Sequence, residues 1–155
     1  MIKKLGRIVM LAVAVAFIVF SVFRIRDSID VVKQFEWAKI FEEISKGNWN
    51  FMVPLTDLGW GILYILVGIS ALVVALKGHA GFWTFIASAL MLGFFIFNLV
   101  TYSKTGDWKK YIVNLSLDVI CQLVYVGGII LVMYGNHREK NEIKRLRRFK
   151  KEHED

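Results

Sequence analysis

The segment YIVNLSLDVICQLVYVGGIILVMY, residues 111–134, decides the fold class. It is apolar for longer than the roughly 20 residues that carry a helix across a bilayer, and its one acidic or basic side chain is Asp118. Asn114, Asp118 and Gln122 recur at a spacing of four, which sets three polar groups on one helical face. At membrane depth such a face finds no water and must meet protein or a wet cavity. An ionisable group there marks a functional site by default.

Three more apolar windows lie upstream, at residues 5–23, 58–76 and 82–102. In a chain of 155 residues, 56% hydrophobic and 14% aromatic, with a mean hydropathy of +0.51, this is more apolar surface than one soluble core hides. The sequence therefore predicts an all-α integral membrane protein, a four-helix bundle with spans at about 5–23, 58–76, 82–102 and 111–134. The first window resembles a signal peptide in its Lys3, Lys4 and Arg7. However, no small-x-small cleavage site follows it, only Ser21-Val22-Phe23-Arg24, so an uncleaved first helix is expected.

A net charge of +7 and a pI near 9.6 would suggest nucleic acid in a soluble protein, but here the positions of the charges explain more. Three basic residues precede the first helix, Lys77 lies in the turn after the second, and eight follow Tyr134. The positive-inside rule then puts both termini in the cytoplasm and the protein in the plasma (cytoplasmic) membrane. The connections 24–57 and 103–110, where eight basic residues meet seven acidic ones, fall outside. No nucleic-acid partner is expected. The single cysteine, Cys121, excludes an internal disulfide and reads as a small packed hydrophobe.

The turn at 77–81 predicts a hairpin of the second and third spans, and 103–110, with Gly106-Asp107, predicts that the third and fourth are neighbours. In the long connection an extracytoplasmic interfacial amphipathic helix is expected over about 28–46. Trp37, Ile40, Phe41 and Ile44 form its apolar face, for lipid or partner contact, and Glu36, Lys39, Glu42, Glu43 and Lys46 its polar one. Gly47-Asn48 supplies its stop, and Pro54 precedes the second span. Trp37, Trp49, Trp60 and Trp108 are expected at the outer interface and Trp83 at the inner one. Small residues four apart, Ala12/Ala16, Ala71/Ala75 and Ala89/Gly93, with Gly127 and Gly128, are expected where helices approach closely.

Counted from the middle of each span, Tyr64, Asn98, Asn114 and Asp118 fall at similar depths in the outer half and are expected to share one polar pocket, with Gln122 on the same stripe. Arg24 and Arg26 are the nearest candidate cations, able to reach inward only if the first helix sits beside the fourth. Three roles fit the cluster around Asp118: a hydrogen-bonded contact fixing helix register, a proton or ion relay, or a partner-binding groove. Replacement by Asn should be nearly silent in the first case and abolish transport in the second.

The layout resembles lipoprotein signal peptidase in size, in four spans with both termini inside, and in an outer element after the first helix. That family is an aspartyl protease with two membrane-embedded aspartates. Leu92-Gly93 followed by Asn98-Leu99-Val100-Thr101 sits where its first motif would be, and Asn114 to Asp118 near the second. Thr101 stands in place of the first aspartate, Tyr102 in place of its arginine, and Asn114 to Asp118 is one residue too long. Two carboxyls must share a proton in such a dyad, so the resemblance stops at layout.

His79, His137 and His153 lie far apart, and neither a P-loop nor a dinucleotide fingerprint occurs, so no metal, cofactor or enzymatic activity is expected. From His137 the chain reads as a basic cytoplasmic tail, 137–155. Ile143, Leu146 and Phe149 recur at spacing three among Lys144, Arg145, Arg147, Arg148, Lys150 and Lys151, a pattern suited to anionic lipid headgroups or to a partner. The function expected is that of a small membrane subunit, accessory or regulatory/immunity-type partner of another membrane protein, working without catalysis. The alternative is a small homo-oligomeric transporter or channel using Asp118.

Overall fold

The computed structural model describes residues 1–34, 37–106 and 108–152. Glu36, Asp107 and His153, with the side chains of Trp108 and Lys151, lie outside the described residues. Among the described residues the chain is helical, with α1 at Ile2–Gln34, α2 at Trp37–Ser45, α3 at Met52–Lys77, α4 at Phe82–Lys104 and α5 at Ile112–Glu152. Short 3₁₀ turns at Trp49–Phe51 and Trp108–Tyr111 lead into α3 and α5. Four of the helices, α1, α3, α4 and α5, are long and apolar enough to cross a membrane.

Helix boundaries follow the local chemistry. Pro54 sits in the first turn of α3, where its missing N–H is no loss. Gly78 ends that helix at φ +69, its N–H bonded to the Val74 carbonyl at 2.8 Å. Arg7 satisfies two of the last carbonyls of α3, with Nε to Ala75 O at 2.6 Å and Nη2 to Leu76 O at 3.0 Å, a cation at a helix C-terminus. The Thr84 hydroxyl accepts from Gly81 N–H at 3.3 Å at the start of α4. The Gly47-Asn48 stop takes the form expected of a left-handed cap. Gly47 has φ +86, its N–H bonds Ile44 O, and Asn48 N–H bonds Glu43 O, both at 2.9 Å.

Two expected boundaries move. The first helix runs on to Gln34, so residues 28–34 of the helix expected over 28–46 belong to α1, with Ser28 and Val32 buried, and the separate helix is only Trp37–Ser45. Uninterrupted helix formers after Phe23, with neither Gly nor Pro before Gly47, explain the extension. At the other end α5 carries straight through Tyr134 into the basic segment, so 41 residues form one helix.

Packing is cyclic. α1 lies against α3 and α5, and α4 closes the square against the same two helices, so the short connections do join neighbours. α3 is the central element, with 50% of its most apolar window buried against 28% for each of the other three. Trp60, Leu63, Tyr64, Val67, Ala71 and Val74 recur at spacings of three and four and form the core with Met10, Ala14, Phe17, Met91, Tyr125 and Val132. At the end holding the α3–α4 turn, α1 and α5 meet at glycines. A Cβ at Gly135 would stand 2.7 Å from the Lys3 backbone, and one at Gly128 2.5 Å from Met10 Sδ. Lys3 also pairs with Glu139 at 2.8 Å, and Asn136 Nδ2 donates to Gly78 O at 2.8 Å.

The small-residue expectations hold in part. Ala71, Ala75 and Gly128 are buried at helix contacts. Ala12, Ala89 and Gly93 instead face outward, and Gly127 has open space around it.

Candidate functional site

Away from the glycine contacts, all four long helices contribute to one buried polar network. Arg24 comes from α1, at a point where the extended helix turns its side chain inward. Its Nη2 donates to Asp118 Oδ1 at 2.7 Å and its Nη1 to Asp57 Oδ1 at 2.9 Å, so one guanidinium bridges two carboxylates. The fork of N–H donors makes arginine the residue for such a bridge. Tyr64 of α3 donates to Asp118 Oδ1 at 2.6 Å, and Asn98 Nδ2 of α4 donates to Asp118 Oδ2 at 3.3 Å. Tyr102 of α4 donates to Asp57 Oδ1 at 3.1 Å. Asp118 is fully buried, while the Asp57 and Arg24 side chains keep 22% and 14% of their exposure.

Aromatic rings support the cation. The Arg24 guanidinium carbon lies 5.9 Å from the Trp60 ring centroid and 5.7 Å from that of Tyr64. Phe17 stacks on Tyr64 at 5.0 Å, and Tyr102 stacks on Tyr111 at 4.3 Å. The charges are thus held in an aromatic and hydrogen-bonded frame that allows Asp118 to be buried at all.

Of the expected cluster, the structure brings Tyr64, Asn98 and Asp118 together. Asn114 lines the adjoining cavity, and Gln122 points elsewhere, its Nε2 donating to Met91 O at 2.9 Å across the α4–α5 seam. The condition set on Arg24 is met, since α1 does sit beside α5. Two expectations are corrected. Trp60 is not an interface anchor but a fully buried ring beneath Arg24. Asp118 also has a carboxyl companion, Asp57, which reads in sequence as the end of a loop but belongs to the second turn of α3. The signal for it was present: Asp57, Trp60 and Tyr64 lie three and four apart, on one helical face.

Next to the network a cavity of about 620 Å³ opens between α1, the start of α3 and the start of α5. Arg24, Asp27, Asp57 and Lys110 supply its charges, Ser28, Asn50 and Asn114 its neutral polar groups, and Phe20, Phe23, Val31, Val53 and Leu117 its apolar wall. Among the described residues no three His, Cys, Asp or Glu side chains gather as metal ligands would.

The other expected contact residues divide. On α2, Ile40 is buried while Trp37 and Phe41 are 51% and 61% exposed, and Ile44 is half-buried. On the far part of α5, Lys144, Arg145, Arg147 and Arg148 are exposed, and so are Ile143, Leu146 and Phe149.

The chemistry available is that of a charge bridge rather than an aspartic dyad. A dyad works by two carboxyls sharing a proton, whereas here each carboxylate has its own bond to the same cation. No family model matches the sequence, and no curated protein or solved structure matches it either.

Proposed function

We propose that this chain is a non-enzymatic membrane subunit, an accessory or regulatory partner of another membrane protein. Membrane insertion is supported by exposed Ile8, Val15, Leu66, Leu92 and Leu123 on the four long helices, a continuous apolar surface far beyond what a soluble monomer leaves to water. On this reading both termini are cytoplasmic and α2 rests amphipathically at the outer interface, with Trp37 and Phe41 toward headgroups.

The observation carrying the partner role is the outward face of α4. Ala89 and Gly93 face away from the bundle beside Leu92 and Ile96, and the neighbouring α4–α5 seam holds a shallow groove of about 370 Å³. Small residues four apart let another helix approach closely in lipid. The buried network supports the same reading from the other side. Each acceptor oxygen bonded around Asp118 ties one helix of the chain to another, the pattern of a register-fixing contact.

A photo-crosslinker at position 92 tests this in native membranes. Adducts to a different membrane protein are expected there and not from position 8 on the opposite side. Adducts only between copies of this chain would overturn the accessory reading.

The second reading, an oligomeric transporter or channel, is favoured by one observation: the chain of groups Tyr64, Asp118, Arg24, Asp57 and Tyr102 reaches an open cavity through Tyr64, Arg24 and Asp57. Proton or ion flux in liposomes that disappears in Asp118→Asn would establish it in place of the first.

A further inference from the structure

The cavity beside the network is a wedge. α1 and α5 are pinched together at Gly128 and Gly135, and at the opposite end Arg24 bridges to Asp118 beside the cavity that opens between them. One stripe of α1, through Phe20, Arg24, Asp27 and Val31, faces one stripe of α5, through Asn114, Leu117 and Cys121. From Phe20 to Val31 the wall spans about 16 Å at roughly 1.5 Å per residue.

Its polarity is ordered along that length. Phe20 and Cys121 line the narrow end, Arg24, Asp57 and Leu117 the middle, and Asp27, Asn50 and Lys110 the mouth, where Val31 and Val53 continue the apolar wall. An apolar inner end, an ion-paired guanidinium with N–H donors to spare and then both charge signs near the rim suit the groups of a phospholipid. Two of Arg24's N–H donors are occupied by Asp57 and Asp118, and the guanidinium keeps others. Lys110 and Asp27 are exposed at the rim.

We propose that this wedge binds one zwitterionic phospholipid of the outer leaflet, its phosphate taken by Arg24 and Lys110 and its ammonium by Asp27. The acyl chains would run down the Phe20 and Leu117 wall and out between α1 and α5. This rests on the membrane reading above and is independent of whether a protein partner exists.

Two features favour this ligand over others. A purely anionic headgroup would give Asp27 no cationic partner. A soluble zwitterion would gain nothing from the apolar inner end.

The test uses the purified full chain in nonionic detergent, titrated with phosphatidylethanolamine, phosphatidylglycerol or diacylglycerol of equal chain length and read by native mass spectrometry. Phosphatidylethanolamine should bind about tenfold more tightly than either of the others, the scale of one charge-assisted hydrogen bond. Lys110→Ala should weaken it by about tenfold, and Asp27→Asn should erase the preference over phosphatidylglycerol. Lys4→Ala, at the opposite end, is the unchanged control. Leu117→Trp should block the wedge and lower binding of phosphatidylethanolamine.

Equal binding of all three lipids, or no effect of Lys110→Ala and Asp27→Asn, overturns the proposal. So does competition by soluble phosphoethanolamine as potent as the lipid. Alkaline extraction of membranes separates the two failures: a chain that stays in the pellet but shows no headgroup preference refutes the lipid site alone, and one released to the supernatant refutes the membrane reading as well.

Discussion

Arg24 is the residue on which the buried network depends. Removing one member of a buried ion pair leaves an uncompensated charge, at a cost of about 3–5 kcal/mol. Arg24→Met strands two carboxylates, so it should destabilise the fold by at least that much in detergent unfolding. Asp118→Asn is milder, because Asp57 still pairs with Arg24 and the amide oxygen still accepts from Tyr64. A loss of about 1–3 kcal/mol is expected, the cost of a weakened charged hydrogen bond, rather than the near silence that the sequence suggested. In the double variant, position 118 holds a neutral amide, so only Asp57 is left without its cation. The two losses should therefore be less than additive, and a double-mutant cycle that came out additive would mean that the two side chains do not interact.

The sequence pointed to much of this site but not to its centre. Asp118, Asn98 and Tyr64 could be found because polar groups in apolar helices stand out and depth can be counted. Asp57 and Trp60 could not be placed by depth counting, since both lie near the start of a span, where charge and tryptophan are ordinary. Periodicity was the better guide, because Trp60, Tyr64, Val67 and Ala71 share one face and that face turned out to be the core.

Among the elements, the α1–α5 contact depends on missing side chains. Gly135→Ala would push a Cβ into the Lys3 backbone, which cannot swing aside as a flexible side chain can. A loss of about 1–3 kcal/mol is expected from such overpacking. Gly127→Ala is its counterpart on the next helical face. It has open space, so it should leave the thermal midpoint unchanged or raise it, by up to about 1 kcal/mol in stability from helix propensity alone. If both substitutions gave the same result, the packing argument would fail.

Element boundaries were less legible than element number. Four apolar windows announce four long helices, but hydropathy ends at Phe23 and Tyr134 while the helices do not. More polar stretches free of Pro continue each one without a signal for the change of surroundings. Which small residues face a neighbour was equally hidden, because Ala89/Gly93 and Ala71/Ala75 have the same pattern and opposite positions. Only the arrangement of helices distinguishes them.

At the scale of the whole molecule, the basic part of α5 projects as a continuous helix past the contacts at Asn136 and Glu139. Its exposed Ile143, Leu146 and Phe149 have basic neighbours on both sides, each contributing about 1 kcal/mol near an anionic surface. In nanodiscs containing anionic lipid, amides 140–150 should exchange more slowly than in zwitterionic discs. The protection should disappear at about 1 M salt, where screening acts within roughly 3 Å. Protection that survives that salt would mean the stripe is held by packing rather than by charge.

The Arg24 bridge also has a consequence for how the chain is made. Arg24 is synthesised 33 residues ahead of Asp57 and 94 ahead of Asp118. On the membrane reading, the Arg24–Asp57 pair between α1 and α3 can form before α5 has been synthesised. On that reading the last segment carries an acid that is costly in lipid, and Arg24 is the cation that offsets it. Chain order thus favours an assembly in which α1 and α3 present the cation that receives α5.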